Sequence, residues 1–506
     1  MCDFGVGPWQ SVLILVTNQP RGIWVTRIAI IGGGFSGASA AVQWARKVPQ
    51  PLAITIFEPR AQLGHGLAYS TDNPTFRLNA HAGLHAIDVA DPNHLIHWCE
   101  TQRLSEHDPG AFAANGQAFL RRQDYGRYLA DSVREHADWP ATGSSITHRR
   151  LRVVDLHFAE GRAMLGLEDG STQEADQVLL ATGNPLPRRP EVLDAITPGH
   201  PHLRTNPLSE GLDGIPTDSR VLVIGAGLTA LDMIAGLIER GHEGAIVAVS
   251  RHGLRPRSQP PPVFALPTAA ANPPVQPLDV LEGPVPAYAE DNVLTVHTLL
   301  RGLRRDIRNI EATGRSWHAA FDALALVVSR IWPKLPLDEQ RRFLRRLRPW
   351  YDVHRFRTPP MTEAVVLRAE RAGQVAYRAA LLKAIEGSEG GTFTAHFGHT
   401  KGRQARETFG AVINCAGLDS GDTVAGNPLL GALVDRGLIL PHPNGVGFLT
   451  DPSCRALNAL GQPRHNLRII GPPTAGVFGD PLGALFISAQ VHRTLPAFME
   501  DLPPGS

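Results

Sequence analysis

The sequence predicts an α/β protein built from two strand–glycine turn–helix–strand units, the second inserted in the first, with a helical insertion of its own. Three observations predict it. Residues 27–31 (RIAII) and 220–224 (RVLVI) are short apolar runs of the buried-strand type, and each leads into glycines and then a helical pattern. Each unit continues into a second apolar strand, 53–57 (AITIF) after the first and 245–249 (AIVAV) after the second. The chain ends on a late strand at 467–470 (LRII) and a final helix from about 481 to 499, which supplies material to close the first unit. At 506 residues the chain exceeds one ordinary core, and two Rossmann-like dinucleotide-binding folds account for the length.

The first unit carries Gly32-x-Gly34-x-x-Gly37 between strand and helix. That is the context in which such a motif has meaning. Gly32 permits a tight turn, Gly34 lets the backbone approach a pyrophosphate, and Gly37 lets helix and strand pack closely. Phe35 and Ser36 open a helix whose N-terminal amides and dipole face the phosphates. Glu58 ends the next strand, about 20 residues past the last glycine, where an acid binds a ribose hydroxyl. The expected ligand of this turn is a dinucleotide.

The second unit carries Gly225-Ala-Gly227-Leu-Thr229-Ala230, with alanine at the third glycine position. No acid ends its following strand. Arg251 stands there, with Arg255 and Arg257 nearby. An acid repels a ribose 2′-phosphate and an arginine pairs with it, so this site is expected to take NADP(H), with NAD(H) as the alternative.

Between the motifs lies a polar stretch rich in glycine and histidine, 64–91. Asn79 is a candidate for a hydrogen bond to a reacting ring, or else a turn-forming asparagine. His65, His81 and His85 titrate near neutral pH in their unperturbed state. His81 is taken as a candidate acid/base, against the commoner reading of a solvated or capping histidine. No carboxylate spacing accompanies them, so no metal site is expected. His354-Arg355-Phe356-Arg357 offers cations to a phosphate or acidic substrate, or structural ion pairs. The Arg-rich helical stretch 293–348 reads as a solvated face.

A formal net charge of +1 gives no global drive toward nucleic acid or a membrane surface. Cys2, Cys99, Cys415 and Cys454 are scattered, without Cys-x-x-Cys, which signals neither zinc nor a dithiol redox pair and fits a reducing cytoplasm. The apolar run 11–16 is too short to span a bilayer and lacks the flanks of a signal peptide. The expected organisation is an extension or disordered tail over 1–24, the first dinucleotide unit over 25–205, the second over 206–375 with its helical insertion at about 293–348, and the remainder of the first over 376–506.

Two such folds with Ala181-Thr182-Gly183 between them resemble the class B flavin monooxygenases. Asp176-x-x-x-Leu180-Ala181-Thr182-Gly183 resembles the signature of their N-hydroxylating branch, with Asn184 where that signature has tyrosine. The Baeyer–Villiger fingerprint F-x-G-x-x-x-H is absent. A broad bacterial family of FAD/NAD(P)-binding proteins is resembled more closely. The residues that carry this are Gly64-His-Gly66-Leu-Ala-Tyr69-Ser-Thr71, Leu78-Asn79-Ala80, Tyr125-Gly126-x-Tyr128-Leu129, Ser250-Arg-x-Gly253, Trp317 and His354-Arg-Phe-Arg357-x-Pro-Pro360. The resemblance implies FAD in the first fold, with Gly66, Asn79, Thr182 and Gly183 near it, and NADPH in the second. The stretch 471–483 (GPPTAGVFGDPLG) resembles the flavoprotein element that aims a helix N-terminus at the flavin, with Gly471 and Asp480 in it; Asp480 is expected on a cofactor hydroxyl or as an N-cap. The implied reaction is hydride transfer to the flavin, capture of O2 as a C4a-(hydro)peroxide and oxygen transfer to a nucleophilic atom of a small molecule. An NAD(P)H-linked flavin reductase without oxygen insertion needs the same two folds, and a non-catalytic dinucleotide sensor is the third reading.

Overall fold

The computed structural model describes residues 25–113, 117–197, 199–260, 277–290, 294–388, 391–398, 404–418, 424, 426–480 and 482–503. The expected N-terminal tail, most of the proline-rich connection over 256–286, and Pro481 at the expected start of the last helix lie outside the described residues.

In the first half of the chain the strands are β1 (Thr26–Ile31), β2 (Leu52–Phe57), β3 (Asp138–Trp139), β4 (Ser144–Arg149), β5 (Val153–Ala159), β6 (Arg162–Leu167), β7 (Thr172–Ala175) and β8 (Gln177–Leu180). Further on come β9 (Leu203–Arg204), β10 (Val221–Ile224), β11 (Ile246–Ser250), β12 (Val375–Ala379), β13 (Leu381–Gly387), β14 (Phe393–Gly398), β15 (Gln404–Phe409), β16 (Ala411–Asn414), β17 (Arg455–Leu457) and β18 (Pro463–Ile469). They form two mainly parallel sheets, each with an antiparallel three-stranded companion.

The first sheet has seven strands in the order β17-β18-β8-β1-β2-β4-β3. Its central strands are apolar and buried on both faces, as parallel strands covered by helices must be. Both ends of the chain build it. β18 pairs in parallel with β8, which pairs with β1. The helices Phe35–Lys47 and Ala484–Glu500 pack together on one face, with the rings of Trp44 and Phe498 stacked at a 3.9 Å centroid separation. β5-β6-β7 cover the other face and share a core with the helix Pro428–Asp435 through Leu429, Leu430 and Leu433. β5 and β6 pair antiparallel and so stand in this separate sheet.

The second sheet has five strands in the order β12-β11-β10-β16-β9, with β13-β14-β15 beside it. This moves the expected boundary at 376. β12 pairs in parallel with β11, and β16 lies against β10 with Val221 opposite Ala411. The physical reason lies in the run Ala411–Asn414: it is buried along its whole length, with Ala411, Val412 and Ile413 apolar, so it takes an interior position in the nearest parallel sheet instead of returning to the first. The first sheet resumes only with β17 and β18.

The helical insertion begins at Val296–Ala312, which is held by a capping box between Thr295 and Thr298. It continues through His318–Leu326, Val328–Ile331 and Leu337–Arg346 to Arg348–Arg355, beyond the expected end at 348, while the next helix, Pro360–Arg371, packs Val366 and Ala369 into the core of the second sheet. Arg301, Arg304, Arg305, Arg308, Arg341, Arg342, Arg345 and Arg346 are exposed, Arg355 and Arg357 turn inward, and Leu303, Phe321, Ile331, Trp332 and Leu335 form a core of the insertion's own. Among the described residues no helix is long and apolar enough to cross a membrane.

Candidate functional site

β1 delivers the first glycine turn to the carboxyl edge of its sheet. Gly32 has φ +105°, and a Cβ there would fall on the carbonyl oxygen of Ala181. Only glycine satisfies both conditions. A Cβ on Gly37 would fall on the carbonyl oxygen of Gly32. Gly34 is different. Its nearest neighbour would be Gly66 Cα at 3.5 Å, an ordinary contact, so the backbone stays open to approach from outside. Gly34 is also the N-cap of Phe35–Lys47 and has no side chain to cap it. The amides of Phe35, Ser36 and Gly37 thus keep the unpaired, positively polarised character that suits a phosphate.

Glu58, at the end of β2, is buried. Its carboxylate accepts from the Gly33 amide at 3.1 Å, the Arg60 amide at 3.0 Å and the Arg60 guanidinium at 3.2 Å. It walls a cavity of about 410 Å³ together with Gly32, Arg60, Arg152 and Thr182. The Thr182 hydroxyl is buried there without a hydrogen-bond partner among the described residues. A fixed carboxylate and an unsatisfied hydroxyl facing one cavity suit the hydroxyls of a ribose. Gly183 follows with φ +75° and open space where a Cβ would stand.

The second turn repeats this construction. Gly225 has φ +119°, and a Cβ there would fall on the carbonyl oxygen of Cys415 at the end of β16, as Gly32 meets Ala181 at the end of β8. Gly227 has nothing within 4 Å of a Cβ position and caps the helix Leu228–Glu239 without a side-chain bond. Thr229 stands in the first turn of that helix. Arg251 follows β11, is exposed, and has no carboxylate partner among the described residues. Arg255 is taken up by Glu370 at 2.5 Å and lies over the ring of Tyr377.

A smaller cavity of about 120 Å³ is lined by Asn79, His81, His85, Gln117, Gln259, Arg355, Arg357 and the first residues of Ala484–Glu500. Gln259 Nε2 donates to the Asn79 carbonyl at 2.8 Å. Burial lowers His81 to about 4, with its neighbour His85 acting in the same direction, and burial likewise lowers His85 to about 4. Both rings are therefore uncharged at neutral pH. His81 Nε2 is buried without a partner among the described residues. His65 sits apart, half-buried against Gly126, so the three histidines do not converge. Among the described residues no group of three His, Cys, Asp or Glu could hold a metal ion.

Gly471 has φ +86°, its amide donates to Gln490 Oε1 at 2.8 Å, and a Cβ there would fall on the Ser36 hydroxyl. This seats the stretch after β18 against the first turn of Phe35–Lys47. Of the two expectations for Asp480, the N-cap is corrected: Gly483 caps the last helix. The Asp480 carboxylate is buried and accepts from Arg355 Nε at 3.2 Å, so it faces the helical insertion. Arg357 forms a two-bond pair with Asp322 at 2.7 and 3.2 Å, which makes the His354–Arg357 run a set of internal ion pairs. Sequence reasoning missed the pair between Arg122 and Asp232 at 2.7 Å, which joins the first unit to the helix Leu228–Glu239. No local signal marks it, because the partners lie far apart in the chain.

Residues 29–185 match a family model described as FAD-NAD(P)-binding. No curated protein matches in sequence. Among solved structures, the ornithine N-hydroxylase of Kutzneria sp. 744, with reduced FAD, NADP+ and L-ornithine, is 13% identical with a TM-score of 0.61, covering 94% of this chain and 98% of its own. The cadaverine monooxygenase of Erwinia amylovora, bound to FAD, is 11% identical with a TM-score of 0.63, covering 94% and 95%. The L-lysine 6-monooxygenase of Pseudomonas syringae is 15% identical with a TM-score of 0.57, covering 94% and 99%. Residues 29–185 thus resemble an FAD-NAD(P)-binding domain, and along nearly its whole length the chain has the fold of these monooxygenases.

Proposed function

We propose that the protein is an FAD-dependent, NADPH-using monooxygenase acting on a nucleophilic atom of a small molecule, with the second dinucleotide unit inserted in the first. One observation carries this reading: two glycine turns of the same construction, each locked by a carbonyl of a returning strand, each opening onto an uncapped helix N-terminus. A sensor needs one such turn, whereas hydride transfer between cofactors needs two. The likeness to enzymes described with FAD and NADP+ supports the same assignment.

In this reading the first turn, with the amides of Phe35, Ser36 and Gly37, holds the FAD pyrophosphate. Glu58 and Thr182 hold its adenosine ribose. The second turn holds the NADPH pyrophosphate, and Arg251 pairs with the 2′-phosphate. Bound there, FAD supplies hydride acceptance and reaction with O2. Asn79, His81 and the amides at the start of Ala484–Glu500 line the cavity where the reacting ends meet. That helix N-terminus favours negative charge on the ring edge it faces. His81 is buried and neutral, so it can carry one hydrogen bond without bringing a second charge.

The test is anaerobic addition of NADPH to the FAD-loaded protein, then O2 with a panel of small nucleophiles. The expected result is bleaching of the flavin by NADPH and a product one oxygen heavier than its parent. FAD that NADPH cannot reduce would point to a sensor. Rapid reduction followed by stoichiometric H2O2, whatever nucleophile is present, would point to a reductase.

A further inference from the structure

A cavity in the helical insertion belongs to neither glycine turn. Its volume is about 540 Å³, within the range of small-molecule sites (about 300–1,000 Å³). Its walls are apolar, and Leu299, Leu300, Leu303, Ile307, Leu324 and Val328 are representative. Two of its lining residues are exposed, Arg304 and Trp350, and they mark where it opens. The Arg-rich stretch that reads as a solvated face in the sequence therefore sets one of its arginines on the mouth of an apolar cavity.

The charges of the lining do not cancel. Asp352 stands 3.6 Å from Arg348, and Asp480 accepts from Arg355 at 3.2 Å, so each carboxylate of the lining has its cation. Arg304 is left over. The ion pairs of the insertion use Arg341, Arg342, Arg348, Arg355 and Arg357, and among the described residues Arg304 has no carboxylate partner. Arg301 and Arg308 lie one turn to either side of it on Val296–Ala312, equally exposed and equally without a carboxylate partner among the described residues. The acids of the same helix, Asp306 and Glu311, form no ion pair with them. Residues three and four apart are neighbours on a helix surface, so three adjacent cations edge the opening. Such an edge attracts an anion, while the paired charges deeper in the cavity offer nothing to a cation.

We propose that this cavity binds an alkyl carboxylate of the fatty-acid type, with its chain along the leucine-rich walls and its head on Arg304 at the opening, flanked by Arg301 and Arg308. A guanidinium meets a carboxylate in a two-bond fork, and the stem of the arginine continues the apolar wall up to that head. The single surplus cation of the lining matches the single charge of a carboxylate. The site is separate from both glycine turns, so the binding holds whichever flavin reaction the protein performs.

Calorimetric titration of the FAD-loaded protein with decanoate, decylamine and 1-decanol tests the assignment, with decanol reporting the chain alone. Decanoate is expected to bind saturably and about fivefold more tightly than decylamine, with an affinity that falls as salt is added while that of decanol does not. Arg304→Gln, a change at an exposed position, should weaken decanoate about fivefold and leave decanol within about twofold. Leu299→Trp, which narrows the cavity from a half-buried position, should weaken both about tenfold in protein that keeps its FAD. Decylamine binding as tightly as decanoate, decanoate affinity indifferent to either substitution, or no saturable binding of any probe would each overturn the proposal. Protein that sediments with anionic phospholipid vesicles but does not bind free decanoate would overturn it too, and would assign the arginine edge to a membrane surface. Flavin that NADPH fails to reduce would sink the monooxygenase reading and leave this site standing.

Discussion

Gly32 shows how much a single position decides. Its φ of +105° and the Ala181 carbonyl beside it leave no room for any side chain, and Gly225 stands in the same relation to Cys415. Gly32→Ala is expected to cost about 3 kcal/mol or more and to yield protein without FAD, read from melting temperature and flavin absorbance. Gly225→Ala should retain FAD but lose reduction by NADPH. Arg251 acts through charge alone. Arg251→Ala should raise KM for NADPH at least tenfold while leaving that for NADH nearly unchanged, because only the former presents a 2′-phosphate; equal loss for both would refute the assignment. His81 and His85 add a pH dependence. Both fold with their pKa lowered to about 4, so their contribution is complete above the unfolded value of 6.5 and is lost as pH falls toward 4, on the order of 3 kcal/mol each. Asp232 runs the other way. Burial raises it to about 6, so its protonation favours folding below 3.8 and that benefit is lost as pH rises through 6. The contribution of the two histidines is isolated by His81→Gln with His85→Gln, which should lessen the loss of stability on acidification from pH 7 to 4 in urea melts; an unchanged pH dependence would contradict it.

Among elements, the decisive contact is the one between the helix Arg122–Glu135 and the helix Leu228–Glu239, made by Arg122 and Asp232. Arg122→Ala leaves a buried carboxylate without its cation and should cost about 3–5 kcal/mol at pH 8. The loss should shrink toward pH 5, where the orphaned carboxyl protonates. Arg122→Met combined with Asp232→Leu should recover most of it, as chemical denaturation at the two pH values would show. The elements visible in the sequence are those whose pattern is local. β10 is a continuous apolar run and β1 and β16 are apolar over Ile28–Ile31 and Ala411–Ile413, and the glycine turns follow from backbone geometry that no other residue tolerates. β4 (SSITHR) was not legible, because at the sheet's edge region it buries only alternate residues and its polar members bond outward, Ser144 to the Leu52 amide and His148 to the Glu58 carbonyl. The same limit applies to the site. Glu58 was found from its spacing, whereas Arg355 on Asp480 and Arg357 on Asp322 pair residues that share no repeat or motif, and only the packed insertion brings them together.

At the scale of the molecule, the first sheet needs both ends of the chain while the second is built within residues 203–414. β18 stands beside β8 near the centre of the first sheet, and Ala484–Glu500 covers Phe35–Lys47 through Trp44 and Phe498. The second sheet has a separate core, formed by Val221, Val223, Ile234, Ile246, Ala411 and Ile413 with their neighbours. Two cores with few shared strands should melt as two calorimetric transitions, coupled through Arg122 and Asp232. A ligand at 100 times its Kd adds about 2.7 kcal/mol to whichever unit binds it. FAD should therefore raise one transition and NADP+ the other. Deleting residues from 451 onward removes β17, β18 and the last helix, and should abolish the FAD-sensitive transition while the NADP+-sensitive one persists. A single transition that both ligands raise equally, or FAD binding that survives the deletion, would show that the two sheets fold as one unit and that the chain's end is not what closes the first.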